Sequence, residues 1–383
     1  MLYRRPDGSK RLWIRLGSII AASGLVLLTL GASALAQLSS QAEWERILAA
    51  ARKEGKVVVG IPPSAELRAQ IGELFKRKFG IDMEPVAARG AQNASRIISE
   101  SRGGVKFFDA VITGSGSALT VLHAGFLDPL EPYMLLPEVK EPKHWWGGHI
   151  WEDNVTNKRS LYSFIADADT GGLWHNTDVV KSAEVHSFDD LLNPKWKRKI
   201  GLNDPRIGGS GQSLWSFLWD IKGEDYLRKL VQQELFLSRN MRQIADALAR
   251  GTLALSIGVG ISEFEPHLKA GLPVKELPKP KEGLPASSAF GVVGIVKDPP
   301  HPNAAKIFFN WLLSKEGQEF YGRAMESSTR RLDVDTRWLV SRGMRPAKDF
   351  LTVEEYHRVR NQLEDKVVNV RWPAAKFAEA ILK

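Results

Sequence analysis

Between residues 44 and 117 the chain alternates short apolar runs with amphipathic ones across brief turns, and this alternation narrows the fold more than any other feature. Trp44, Ile47, Leu48 and Ala51 stand at i, i+3, i+4 and i+7, one face of a helix that Ser40 and Glu43 open as a capping box and Gly55 closes. The run 57–61 reads as a buried strand. Pro62, Pro63 and Ser64 turn it into a second helix with Leu67, Ile71, Leu74, Phe75 and Phe79 on one stripe. Strands are predicted again at 81–86 and 108–112, with a helix at 92–102 between them. Strands joined through helices pair in parallel, and a parallel sheet needs cover on both faces. The fold class is therefore α/β, and ligands of such sheets bind beyond the carboxyl ends of the strands.

The pattern lapses over 129–160, a stretch with several Pro and Gly that carries Tyr133, Trp145, Trp146 and Trp151 without a helical period. It resumes with strands predicted at 161–166, 199–203, 253–257 and 289–296 and helices at 187–192, 213–219, 241–250 and 303–321. Residues 273–285, with four prolines, read as a linker, and 338–383 as a charged tail, helical around 353–363.

The chain has 53 Lys and Arg against 44 Asp and Glu, a formal charge of +9, and such an excess can mark a nucleic-acid or membrane-surface binder. Its placement decides otherwise. Arg4, Arg5, Lys10, Arg11 and Arg15 precede an uncharged stretch, 16–30, and then Ala34, Leu35 and Ala36. A basic start, a short apolar middle and a small-x-small site are the ordered parts of a signal peptide, expected over 1–36 with cleavage after Ala36. The apolar stretch, interrupted by Gly17, Ser18, Ser23, Gly24 and Thr29, is shorter than the ~20 residues a spanning helix needs. Pro6 and Asp7 behind the arginine pair favour general over twin-arginine export. Without the leader 48 basic and 43 acidic side chains remain, and the densest basic run, 195–199, is broken by Trp196. No nucleic-acid partner is expected. The absence of cysteine removes disulfides, thiolate catalysis and Cys-based metal sites.

Four strand-end turns could hold a ligand. Gly114, Ser115, Gly116 and Ser117 lead into one helix, and Gly208, Gly209, Ser210, Gly211 and Gln212 into another. Small residues at a helix N-terminus let an anion reach bare amides, and Arg206 could add charge beside the second turn. Arg89 and Ser64 mark the two remaining strand ends. None of the turns matches a dinucleotide fingerprint, a P-loop or a nucleophile elbow. His144 and His149, near Glu152 and Asp153, lack a spacing that fixes an ion. No catalytic residue, metal ligand or cofactor is expected.

Eight segments in one order then carry a resemblance: WERILAAARKEGKVVVGI at 44–61, FDAVITGSG at 108–116, AGFLDPLEPY at 124–133, WHNTDVV at 174–180, SFDDLLNPKWKRKIGLNDP at 187–205, AGLPVKELPKPKEG at 270–283, HPNAAKIFFNWLLSKEGQEFY at 301–321 and STRRLDV at 328–334. With these the chain resembles the extracellular solute-binding proteins of ABC importers, in the group often called ferric-iron-type. The resemblance implies a two-lobed type II periplasmic binding fold: a monomer that closes on a small molecule in the periplasm and delivers it to an inner-membrane permease. It also implies discontinuous lobes, the first from 38–130 and 286–328, the second from 131–285 and 329–383. Iron-binding members use adjacent tyrosines in the segment corresponding to 255–265, which here reads LSIGVGISEFE, without tyrosine. Ser210 and Gly211 match a turn that holds an anion in related proteins, which favours an anionic solute. The expected cleft residues are Ser64, Arg89, Ser115, Gly116, Asn176, Arg206, Ser210, Gly211, Gln212 and Glu263. The alternatives are a ferric-ion binder using non-tyrosine or anion-assisted ligation, and a secreted hydrolase or a sensor adaptor on the same fold.

Overall fold

The computed structural model describes residues 41–382; the expected leader and Ser40 of the capping box lie outside the described residues. Among the described residues ten strands form two five-stranded sheets: β1 (Lys56–Ile61), β2 (Asp82–Ala87), β3 (Ala110–Thr113), β4 (Tyr162–Ser163), β5 (Leu173–Asn176), β6 (Ile200–Asn203), β7 (Phe236–Ser238), β8 (Leu255–Ile257), β9 (Val274–Glu276) and β10 (Val292–Ile295). The first sheet has the order β2-β1-β3-β10-β4 and the second β7-β6-β8-β5-β9. In the first, β1 runs parallel to β2 and β3, while β10 runs antiparallel to β3 and β4. In the second, β6 runs parallel to β7 and β8, and β5 antiparallel to β8 and β9.

β1 shows why the first sheet must be covered twice. Val57, Val59 and Ile61 enter a core with helices 41–54, Ala65–Phe79 and Pro302–Leu313, while Val58 enters another beneath helices Gly90–Arg102 and Ser115–His123. All four are fully buried, and each such side chain contributes about 1.5–3 kcal/mol. The second sheet repeats the plan. Leu214, Trp215 and Leu218 of helix Ser210–Val231 pack over Ile200 and Leu202 of β6, and Trp174 stacks on Phe264 at 4.3 Å on the opposite face. The helix expected over 303–321 is two, Pro302–Leu313 and Lys315–Met325, because Ser314 turns extended and caps the second by accepting a hydrogen bond from Gly317 N.

Residues on either side of the positions expected as lobe boundaries, 130/131 and 328/329, pack together. Tyr133, Val139, Trp145, Tyr162, Phe164 and Ile165 all belong to the first core, and Thr329 and Arg331 pair there with Ile165 and Trp145. Short 3-10 turns and isolated bridges build 131–165, which is why it showed no period in sequence. The chain crosses to the second sheet over 164–172 and returns over 285–291, where Asp167 and Ser287 exchange backbone hydrogen bonds. The C-terminal segment then makes a third connection. Asn361 Nδ2 donates to Ser213 O at 2.8 Å, Val367 packs with Ala118, Leu119 and Leu122, and helix Trp372–Ile381 joins the second core through Ala374 and Ala378. A fully buried Glu152–Arg360 ion pair and Tyr356 sit beneath the crossings. Among the described residues no helix is long and apolar enough to cross a membrane.

Candidate functional site

The carboxyl ends of the two sheets face each other across the crossing segments. Thr113, Val292 and Ser163 stand side by side at the end of the first sheet, and the chain leaving Ser163 reaches Gly171, where a Cβ would lie 3.4 Å from Ser210 O and 3.6 Å from Gly258 Cα at the end of the second. The interlobe space is thus bounded by the turns after β1, β2 and β3 on one side and those after β6, β7 and β8 on the other, as sheet direction requires.

On the second lobe the turn after β6 is built tightly. Gly209 opens helix Ser210–Val231 at φ 148°, ψ −164°, a conformation that side chains disfavour. A Cβ on Gly211 would fall 2.1 Å from Asn203 O, so only glycine lets the helix end seat against β6. Gly211 N donates to Asn203 Oδ1 at 3.3 Å, and Ser210 Oγ donates to Gly258 O at 2.7 Å, locking the turn to β8. Ser213 N, bonded to Gly209 O, closes the first helical turn. Of the earlier amides Gly211 N is spent on Asn203, and those of Ser210 and Gln212 are left at the helix end, where the dipole favours an anion.

On the first lobe the ends are looser. Gly116 has nothing within 4 Å of where its Cβ would stand. The hydroxyl of Ser115 is buried and lies 3.1 Å from Ser288 Oγ, which in turn donates to Gln362 Oε1 at 2.6 Å, so this serine joins the crossing segments to the C-terminal segment. Ser64 Oγ caps its helix by accepting from Leu67 N and lies 3.4 Å from Ala324 O. Arg89 is exposed at the end of β2, before helix Gly90–Arg102, and its guanidinium makes no ion pair among the described residues.

Three expected cleft residues have other duties. Asn176 ends β5, which runs opposite to β8, so it lies beside Ala254 at the start of β8, the far pole of the sheet. There Nδ2 donates to Leu248 O and Oδ1 accepts from Asp178 N, and its polar atoms are spent. Arg206 forks onto Asp204 at 2.8 and 2.9 Å and donates to Leu382 O, and that guanidinium holds the Asp204 carboxyl down at about 2. Glu263, in the first turn after β8, faces Arg242 at 3.4 Å.

Sequence reasoning missed the side chain that accompanies Gln212. Gln212 Oε1 accepts a 3.0 Å hydrogen bond from Nε of Arg371, which is 9% exposed on the C-terminal segment. Burial alone pushes the Arg371 guanidinium down to about 10; no carboxylate offsets it. A lone arginine in VVNVRWPAA was the available signal, an unpaired charge inside an apolar run. The five described tyrosines, Tyr133, Tyr162, Tyr226, Tyr321 and Tyr356, are all buried in the cores, and burial raises each phenol above its ordinary value. None is placed or poised to serve as a phenolate. Among the described residues no three His, Asp or Glu side chains gather as a metal site.

The family profile described as bacterial extracellular solute-binding protein matches residues 70–336. An uncharacterised protein of Haemophilus influenzae is 28% identical over 136 residues, 34% of this chain; the chain spans 38% of that relative's length. Solved structures share the fold. FutA of Trichodesmium, in complex with iron and citrate, is 18% identical at a TM-score of 0.62 over 86% of this chain and 99% of its own. The ferric binding protein of Campylobacter jejuni is 14% identical at 0.63 over 85% and 99%. AfuA of Actinobacillus pleuropneumoniae, with fructose-6-phosphate bound, is 17% identical at 0.53 over 83% and 99%.

Proposed function

The chain belongs to the bacterial extracellular solute-binding proteins, and from that premise we propose that it captures a small anionic solute, a carboxylate or a phosphate ester, between its lobes and delivers it to the permease of an ABC importer. The carrying observation is the helix end at Ser210–Gln212, locked to β6 and β8 with Gly211 N spent on Asn203 Oδ1 and the amides of Ser210 and Gln212 left without a partner among the described residues. Helix ends at Gly90 and Ser115 open toward the same space from the other lobe, so the positive poles of three helices border it. Solute binding is then an exchange of water for preformed donors, followed by hinge closure about the crossing segments.

The fold itself takes both kinds of cargo, since FutA carries iron with citrate and AfuA a sugar phosphate. The second kind is favoured here: the segment after β8 holds no tyrosine, and every described tyrosine is buried. Thermal-shift titration of the purified protein with inorganic phosphate, sugar phosphates, citrate, neutral sugars, polyamines and ferric ion tests the reading. Stabilisation by one class of anion is expected. A strong shift with ferric ion alone, or with neutral or cationic solutes alone, overturns it.

A further inference from the structure

Four buried arginines in this protein invite comparison. Arg330 donates to the carbonyls of Ser163, Trp146 and Gly148, at 3.0, 2.7 and 2.9 Å for the first bond to each. Arg331 pairs with Asp333 and Glu138 and donates to Leu313 O. Arg360 faces Glu152, itself fully buried. Each has an anion or a set of carbonyls to repay desolvation. Arg371 is buried almost as deeply, yet one of its five N–H groups is used, on the neutral oxygen of Gln212, and its terminal nitrogens have no partner among the described residues.

The position of this unpaired charge is specific. Gln212 lies in the first turn of helix Ser210–Val231, which runs unbroken to Gly223, so the Arg371 fork is held beside the outward-facing amides of that helix end. Gln212 keeps Nε occupied and leaves the terminal nitrogens for an oxyanion, the geometry in which a guanidinium binds bidentately. The segment that delivers Arg371 is fixed on both sides, by Asn361 on Ser213 and by Val367 against the Ser115–His123 helix, with Trp215 Nε1 donating to Ala374 O just beyond. Arg206 is engaged by Asp204, Arg345 and Lys279 by Asp169, and Arg242 by Glu263, while Arg89, on the first lobe, is exposed and makes no ion pair among the described residues.

We propose that Arg371 is the charged anchor of the solute site, binding a carboxylate or phosphate oxyanion jointly with the amides of Ser210 and Gln212. This rests on the anionic-solute reading above and adds the residue that would discriminate a charged solute from a neutral one of the same shape. The C-terminal segment is then part of the binding site as well as a brace.

Calorimetric titration with the anion that most stabilises the wild type in a panel of inorganic phosphate, sugar phosphates and citrate separates the possibilities. Arg371→Met should weaken binding by roughly 10- to 100-fold, the loss expected for charge-assisted bonds. Arg371→Lys, which keeps the charge and loses the fork, should fall between Met and wild type. The anion-free melting temperature of Arg371→Met should hold or rise, because an uncompensated buried charge is gone; a structural role would lower it. Should Met fold poorly, the Lys variant alone carries the test, and wild-type affinity in it overturns the proposal. Equal anion affinity in all three proteins overturns the anchor while leaving the anionic-solute reading intact. Failure of every anion to bind wild type, with a neutral or cationic solute binding instead, overturns both.

Discussion

The two glycine-serine helix ends, Gly114–Ser117 on the first lobe and Gly208–Gln212 on the second, read almost alike as sequence and are built differently. The second is wedged: Gly211 sits against Asn203, Ser210 is bonded to Gly258, and Gln212 holds an arginine. The first has open space before Gly116 and gives its serine hydroxyl to the crossing segments. One end is a rigid, charged platform, while the other is a neutral surface coupled to the hinge. A local motif therefore brings helix amides to a strand end, and the packing behind it sets how rigidly they are held.

Single substitutions should separate the two ends. Gly211→Ala drives a methyl into Asn203 O and should cost roughly 3 kcal/mol or more in urea unfolding, while Gly116→Ala should fall within about 0.5 kcal/mol of wild type. Similar losses at both would erase the distinction.

The connection between the ends carries its own titration. Asp167 is buried on the first crossing, accepts from Ser328 N at 3.2 Å, and has its carboxyl pushed up to about 6 by burial. The folded protein keeps this proton to about pH 6, whereas an unfolded Asp releases it near pH 4, so folding takes up a proton in between. The charge penalty is absent below that window and complete above it, so this group should lower stability by about 2–3 kcal/mol from pH 4 to 6 and leave it flat beyond. Asp167→Asn should remove that fall; an unchanged pH profile of unfolding would deny the carboxyl this role.

Smaller effects follow. Ser210→Ala should cost about 1 kcal/mol by freeing Gly258 O and should weaken anion binding, since the helix end is no longer tied to β8. Ser115→Ala should cost a similar amount in unfolding, but its effect should appear in the extent of solute-induced closure measured by solution scattering, because its partner lies on the return crossing. Arg89→Ala, on an exposed side chain without an ion pair, should change stability by less than about 0.5 kcal/mol. A loss of anion affinity there as large as at Arg371 would mean that charge is supplied from both lobes.

What the sequence disclosed follows the same division. β1 and the helices around it were legible because Trp44 to Phe79 keep a strict period, and the ligand-facing turns because Gly and Ser cluster at strand ends. Asn176 misled because its strand direction is set by pairing with β8 and β9, far away in sequence, and the reversal carries it to the opposite pole. Arg206 looked free because its carboxylate partner is only two residues away, where sequence alone does not show that the side chains fork together. Arg371 stayed hidden because its surroundings are assembled from segments about 160 residues apart, Gln212 and the C-terminal stretch.

The segment from Arg360 to Arg371 touches both lobes and is stitched to the return crossing, where Gln362 Oε1 accepts from Ser288 Oγ at 2.6 Å and Gln362 Nε2 donates to Ser287 Oγ at 2.7 Å. A plate hung on two neighbouring straps swings about the line between them; a third strap sewn to one of them stiffens that line. Rotation of one sheet against the other works on Val367 against Leu119 and Leu122 and on Asn361 against Ser213. Loosening that short segment should soften the swing without touching either sheet.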